Sequence, residues 1–162
     1  MVKQLAEVGI TEVTLIGGEA FLRPDWLEIA KAITDAGMMC SMTTGGFGIT
    51  LDTARRMKEA GIRVVSVSVD GLEGTHDRLR GRKGSWQWAF KTIGNLRQVG
   101  IFVGCNTQIN RLSAPEFPQI YERIRDAGVL AWQIQLTVPM GNAADNSEIL
   151  MQPYELLDLY PM

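Results

Sequence analysis

The 162 residues carry 16 basic and 18 acidic side chains, a formal net charge of −2, and 46% of them are hydrophobic. That balance suits one domain with a sizeable core and excludes a polybasic nucleic-acid or membrane-surface face. No run approaches the roughly 20 apolar residues of a membrane span, no signal-peptide order opens the chain, and the two cysteines, Cys40 and Cys105, form no ligand pair or disulfide framework, so a reducing cytoplasm is the expected compartment.

One signal recurs five times: Glu7-Val8-Gly9-Ile10, Asp35-Ala36-Gly37-Met38, Glu59-Ala60-Gly61-Ile62, Gln98-Val99-Gly100-Ile101 and Asp126-Ala127-Gly128-Val129. Each places glycine where a helix closes in a left-handed residue, followed by an apolar residue that contacts the last turn. Residues 1–8 therefore read as the tail of a helix. A strand is expected over 12–17, then a helix from near Pro24 with Asp25 and Glu28 at its positive end. Strand 38–44 leads to a helix over 51–60, N-capped by Thr50. The clearest strand is 63–69, followed by an interruption from Asp70 to Gly84 and a helix from Ser85 to Gln98. Strand 102–108, a helix from Pro115 to Gly128, strand 131–138 and a short helical run from Tyr154 to Tyr160 complete the order. Strands alternating with helices at this spacing predict βα units.

Strand parity says more. Val65, Val67 and Val69 point one way, and Ser66, Ser68 and Asp70 the other; Trp132, Ile134 and Leu136 oppose Gln133, Gln135 and Thr137. A doubly wound sheet buries both faces and reads as nearly continuous apolar residues. A polar face must be hydrogen-bonded to something, so a barrel-like sheet with a polar, ligand-lined interior is expected in preference to a flat one.

Ligands of α/β proteins sit beyond the carboxyl ends of the strands. There Gly17 and Gly18 allow close backbone approach, and Glu19 either accepts from an ammonium group or is a solvated turn residue. Ser66, Ser68 and Asp70 suit a carboxylate or a hydroxylated sugar, or else form a serine-rich strand with a capping aspartate. His76, the single histidine, reads as a surface or helix-start residue. The four cations within 78–83 are either a solvated loop or a carboxylate or phosphate reader. Trp86 and Trp88, two positions apart, face different sides of their helix, and both cysteines read as small buried hydrophobes. No catalytic residue and no metal ligand is identified from the pattern.

The rim residues resemble those of radical S-adenosylmethionine enzymes, in particular the branch that often carries a C-terminal, cysteine-rich (SPASM or twitch-like) extension for auxiliary iron–sulfur clusters. Leu15 to Pro24 is similar to that family's glycine–glycine–glutamate segment. Thr43-Thr44-Gly45-Gly46 resembles its threonine–asparagine–glycine segment, with glycine where asparagine is usual. Ser66 to Gly71, with His76 to Gly81 behind, resembles the fourth-strand signature. The resemblance implies a partial TIM-like (β/α)6 barrel whose strands two to six are present and whose first strand is missing. Residues 1–150 would be the truncated barrel core and 151–162 the start of a following helix or linker.

It further implies that Gly17, Gly18, Glu19, Thr44, Ser66, Ser68, Asp70, Asn106, Gln135 and Met140 lie against S-adenosylmethionine, with Asn110 near the ribose and Arg78, Arg80 and Gln133 as substrate-rim candidates. The family's three-cysteine motif, which holds a [4Fe–4S] cluster, has no counterpart among these residues. The first glycine cap, at Gly9, comes early enough to place the missing strand and cluster loop upstream. The expected parent reductively cleaves S-adenosylmethionine to a 5′-deoxyadenosyl radical, needs a reductant, and acts on a peptide or protein; the fragment alone is expected to be inactive. Its open edge strand would favour self-association. The alternatives are a cluster-less nucleotide-binding accessory module, or an unrelated α/β-barrel lyase or isomerase.

Overall fold

A computed structural model describes residues 1–159, without the Asn142 side chain; the expected helical end at Tyr160 lies outside the described residues. Five strands, β1 (Glu12–Leu15), β2 (Met39–Thr44), β3 (Val64–Ser68), β4 (Phe102–Ile109) and β5 (Ala131–Leu136), pair in sequence order as one parallel sheet. Between them run α1 (Val2–Glu7), α2 (Trp26–Asp35), α3 (Leu51–Glu59), α4 (Glu73–Leu79), α5 (Ser85–Gln98) and α6 (Phe117–Asp126), and the short α7 (Leu156–Leu159) follows. The result is a partial α/β barrel. Among the described residues no helix is long and apolar enough to cross a membrane.

All five glycine caps form as expected. At the end of α2, Gly37 adopts φ +80°, its amide donates to the Thr34 carbonyl at 3.0 Å, and the Met38 amide donates to the Ile33 carbonyl at 3.2 Å. This is the Schellman pattern, and it repeats at Gly9, Gly61, Gly100 and Gly128. After three of the glycines the apolar residue is buried (Met38, Ile62 and Ile101); Val129 is half-buried and Ile10 exposed. Thr50 caps α3 through the Thr53 amide.

Register sorts the strand faces. Thr14 pairs with Ser41, Thr43 with Ser66, Ser66 with Gly104, Ser68 with Asn106, Asn106 with Gln133, and Gln108 with Gln135. Partners in a parallel ladder point the same way, so these side chains share one polar face. The opposite face presents Cys40, Met42, Val65, Val67, Val103 and Cys105 to Ala30, Ile33, Met57, Ile93, Leu96 and Ile124 of the helices. Polar rows meet one another laterally: the Thr14 and Ser41 hydroxyls lie 2.9 Å apart, and Gln108 Nε2 donates to Gln135 Oε1 at 2.6 Å.

The expected interruption from Asp70 to Gly84 instead contains α4. Its sequence (Glu-Gly-Thr-His-Asp-Arg-Leu) has no apolar period, so pattern alone gives no helix. It is held by three acids and bases. Glu116 accepts from the Leu72 amide (2.7 Å) and the Thr75 hydroxyl (2.6 Å). Asp77 accepts from the Gly84 and Trp86 amides and the Ser85 hydroxyl at the start of α5, at 2.5, 2.9 and 2.9 Å. His76, expected as a surface or helix-start residue, lies on the short α4 but is fully buried, so the surface alternative falls: its imidazole meets the Asp70 main-chain amide rather than water. Trp86 lies against Phe90 and Trp88 against Phe47, each pair tilted, in two separate clusters as their spacing implied.

Partial desolvation opposes ionisation of Asp77, but the Trp86 and Gly84 amides and the Ser85 hydroxyl outweigh it and hold its carboxyl below the ordinary aspartate range. Such a group stabilises the fold above its unfolded pKa, and the contribution is lost as pH falls through the depressed folded value. Asp77→Ala is therefore expected to cost about 1 kcal/mol, read as a lower urea midpoint at neutral pH with an unchanged slope. The gap from wild type should close on acidification below the aspartate range. A gap independent of pH would show that the caps are not charge-assisted.

Candidate functional site

Two carboxylates stand along the C-terminal edge of the sheet, one after β1 and one after β3. Glu19 follows Gly17, whose φ of +124° requires glycine, and Gly18. Its Oε2 accepts from the Thr44 hydroxyl at 2.5 Å and its Oε1 from the Gly45 amide at 2.7 Å. Thr44 in turn accepts from the Gly46 amide at 2.9 Å. Thr44 lies by register on the helix side of β2 and is buried, so it holds Glu19 from beneath rather than facing the polar interior. A Cβ at Gly45 would come within 2.9 Å of Glu19 Oε1, so the glycine leaves room for this carboxylate.

Asp70 is the second node. Its Oδ1 accepts from the Gln108 amide at 2.9 Å, its Oδ2 meets the Arg80 guanidinium at 2.5 Å, and its own amide donates to His76 Nδ1 at 3.0 Å. With its side chain 8% exposed, the charge is balanced by Arg80 and one main-chain amide rather than by water. Beside it opens a pocket of about 410 Å³, within the ordinary range for small-ligand sites. Asp70, Arg80, Gln108, Asn110, Thr137 and Met140 contribute to its wall.

The expected site residues separate into groups. Asp70, Arg80 and Met140 share the pocket, while Glu19, Thr44 and the glycines form the other end of the rim. Ser66, Ser68, Asn106, Gln133 and Gln135 occupy successive rows of the polar face on β3, β4 and β5, below the pocket. Arg78 is turned away and pairs with Glu148 at 3.2 Å. Asn110 lines the pocket, but its Oδ1 already accepts from the Leu112 and Ser113 amides. Three contributors were not among the expected site residues: Gln108 acts through its amide, His76 through its bond to the Asp70 amide, and Thr137 through a buried hydroxyl that has no hydrogen-bond partner among the described residues. The Ser68–Asp70 and Asn106–Gln108 spacings put Asp70 and Gln108 on the polar face, a clue that parity alone already held.

The Radical SAM superfamily model matches residues 1–122. AdoMet-dependent heme synthase of Nitratidesulfovibrio vulgaris is 33% identical over 156 residues, covering 96% of this chain and 42% of that protein. Sporulation killing factor maturation protein SkfB of Bacillus subtilis is 28% identical over 155 residues, covering 96% and 38%. Among solved structures, Streptococcus suis SuiB bound to its precursor peptide SuiA superposes with a TM-score of 0.81 at 15% identity, covering 99% of this chain and 36% of that one. The chain thus spans about two fifths of the length of the curated relatives it matches.

An iron–sulfur cluster does not fit the residues present. Among the described residues no group of three or more His, Cys, Asp or Glu side chains could hold a metal ion. Both cysteines are buried on the helix side of the sheet. Burial pushes the Cys40 thiol up to about 11; burial, aided by the nearby Asp70 charge, takes Cys105 to about 12. Both are expected to remain unreactive toward a disulfide reagent at pH 8 in the native chain and to react fully in denaturant. Rapid labelling of either in the native chain would contradict this placement.

Proposed function

The chain belongs to the radical SAM superfamily, and on that premise we propose that its rim binds S-adenosylmethionine and that the whole protein performs radical chemistry on a peptide or protein substrate. One observation carries the reading: two carboxylates, Glu19 and Asp70, are fixed by main-chain amides beyond the C-terminal ends of β1 and β3 on one rim of the sheet. Their donor sets leave acceptor capacity on both, since a carboxylate has about four lone-pair sites. Glu19 suits the cofactor's ammonium group and Asp70 its ribose hydroxyls, with Arg80 beside Asp70 at the substrate rim. Gly17 and Gly18 admit the ligand close to the main chain, and the exposed side chain of Met140 offers the adenine an apolar contact. When reduced by one electron, bound S-adenosylmethionine supplies a hydrogen-abstracting radical. No step through a cluster is assigned to these residues, which do not fit one, and the reductant lies outside them.

A tetrapyrrole substrate is the second reading. It is favoured by the higher identity of this chain to the heme synthase, 33%, than to the killing-factor maturation protein, 28%. The peptide reading draws on the latter and on the peptide-bound SuiB likeness.

Calorimetric titration of the chain with S-adenosylhomocysteine, which cannot be reductively cleaved, tests the cofactor site. Saturable one-to-one binding is expected. Glu19→Gln and Asp70→Asn should each weaken it about tenfold, the scale of one charge-assisted hydrogen bond, and Lys31→Ala should leave it unchanged. Heat of binding that fails to saturate, or that ignores both carboxylates, would sink the reading. In the whole protein, a mass change in a supplied peptide rather than in an iron porphyrin would decide between the two substrates.

A further inference from the structure

One short helix grips Asp70 at two points. The last ladder bond of β3 runs from the Val69 amide to the Asn106 carbonyl at 2.9 Å. One residue on, the Asp70 amide has left the ladder, and a buried amide without an acceptor is costly. His76 Nδ1 accepts it at 3.0 Å. The imidazole is fully buried, so water cannot replace it. Because Nδ1 is the acceptor, the ring is neutral and carries its proton on Nε2. Arg80 follows four positions later, on the same side of the helix end, and takes the Asp70 carboxylate. Helix α4 therefore holds the main chain of Asp70 through His76, and its C-cap residue Arg80 holds the side chain. Asp77 and Glu116, described above, anchor that helix to α5 and to the loop after β4.

We propose that His76 is a positioning residue for ribose recognition: by fixing the Asp70 main chain, it sets the direction in which the carboxylate presents its free lone pairs. This rests on reading the rim as an S-adenosylmethionine site. Only the amide bond to Nδ1 is needed. Asn at 76 keeps an acceptor near the Nδ1 position, Gln moves it toward the Nε2 position, and Leu removes it.

The test measures, for wild type, His76→Asn, His76→Gln and His76→Leu, the affinity for S-adenosylhomocysteine and for its 2′-deoxy and 3′-deoxy analogues, together with hydrogen exchange at the Asp70 amide. His76→Leu and His76→Gln are expected to lose about tenfold for the ribose ligand and little for the deoxy analogues, so that ribose discrimination collapses. His76→Asn should retain most of it. A merely structural role would weaken all three ligands alike, and that result, or unchanged discrimination in a folded His76→Leu, overturns the proposal. Should His76→Leu fail to fold, the contrast between Asn and Gln decides. If wild type binds none of the ligands, the reading of the rim fails separately. Exchange then decides for His76: protection of the Asp70 amide lost with Gln and kept with Asn supports the positioning role, and equal protection overturns it.

Discussion

Everything at the rim depends on the register of five parallel strands. Side chains alternate strictly along each strand, and partners in a parallel ladder share a face, so one alignment fixes the direction of every side chain at once. In the observed alignment Ser66, Ser68, Asn106, Gln108, Gln133 and Gln135 fall on one face, and Val65, Val67, Val103 and Cys105 fall on the other. A slip of one residue in β3 would bury Ser66 and Ser68 among Ile93 and Leu96 and turn the valines toward the polar rows. Both moves are unfavourable, since buried hydroxyls lose water without gaining partners while apolar area stays wet. The core beneath the helices and the polar face above thus specify each other.

The same alternation determines how the rim charges are held. Asp70 continues the parity of Ser66 and Ser68, which brings it level with Gln108 on the neighbouring strand, and the Gln108 amide is there to receive it. Glu19 has no strand to continue, because it lies beyond the turn at Gly17 and Gly18. Its direction comes instead from Thr44 and Gly45 of the adjacent strand end. Both carboxylates therefore take a main-chain amide from a neighbouring strand end, and Asp70 is held in addition by His76 and Arg80 of the segment that follows it. Main-chain amides cannot rotate away, which makes such a rim stiffer than one built only from side-chain pairs.

Much of this could be read from residues. The glycine caps were visible because a left-handed closing residue followed by an apolar one is a local signal, and all five formed. Strands were visible where parity was strong, as in Val64 to Ser68. The helix Glu73–Leu79 was not, because its residues serve contacts elsewhere: Thr75 bonds to Glu116, His76 to Asp70, and Asp77 to the start of the next helix. Arg78 and Arg80 looked equivalent as neighbouring cations. Two positions along a helix turn them to different sides, so that Arg80 meets Asp70 and Arg78 meets Glu148. Thr44 was placed at the rim correctly, but its burial makes it a support for Glu19.

By itself the sequence determined the order of strands and helices, the split between apolar and polar faces, and the family, since these rest on local caps, period-two alternation and short rim motifs. Tertiary structure alone decided which rim side chains are brought together, that His76 is buried and accepts the Asp70 amide, and which arginine meets Asp70. The physical reason is range. Caps and alternation are settled within a few residues. The bonds from Thr44 and Gly45 to Glu19 and from the Gln108 amide to Asp70 instead span 25 to 38 positions and exist only once the strands lie side by side. His76 and Arg80 reach Asp70 only once α4 has folded back over the end of β3.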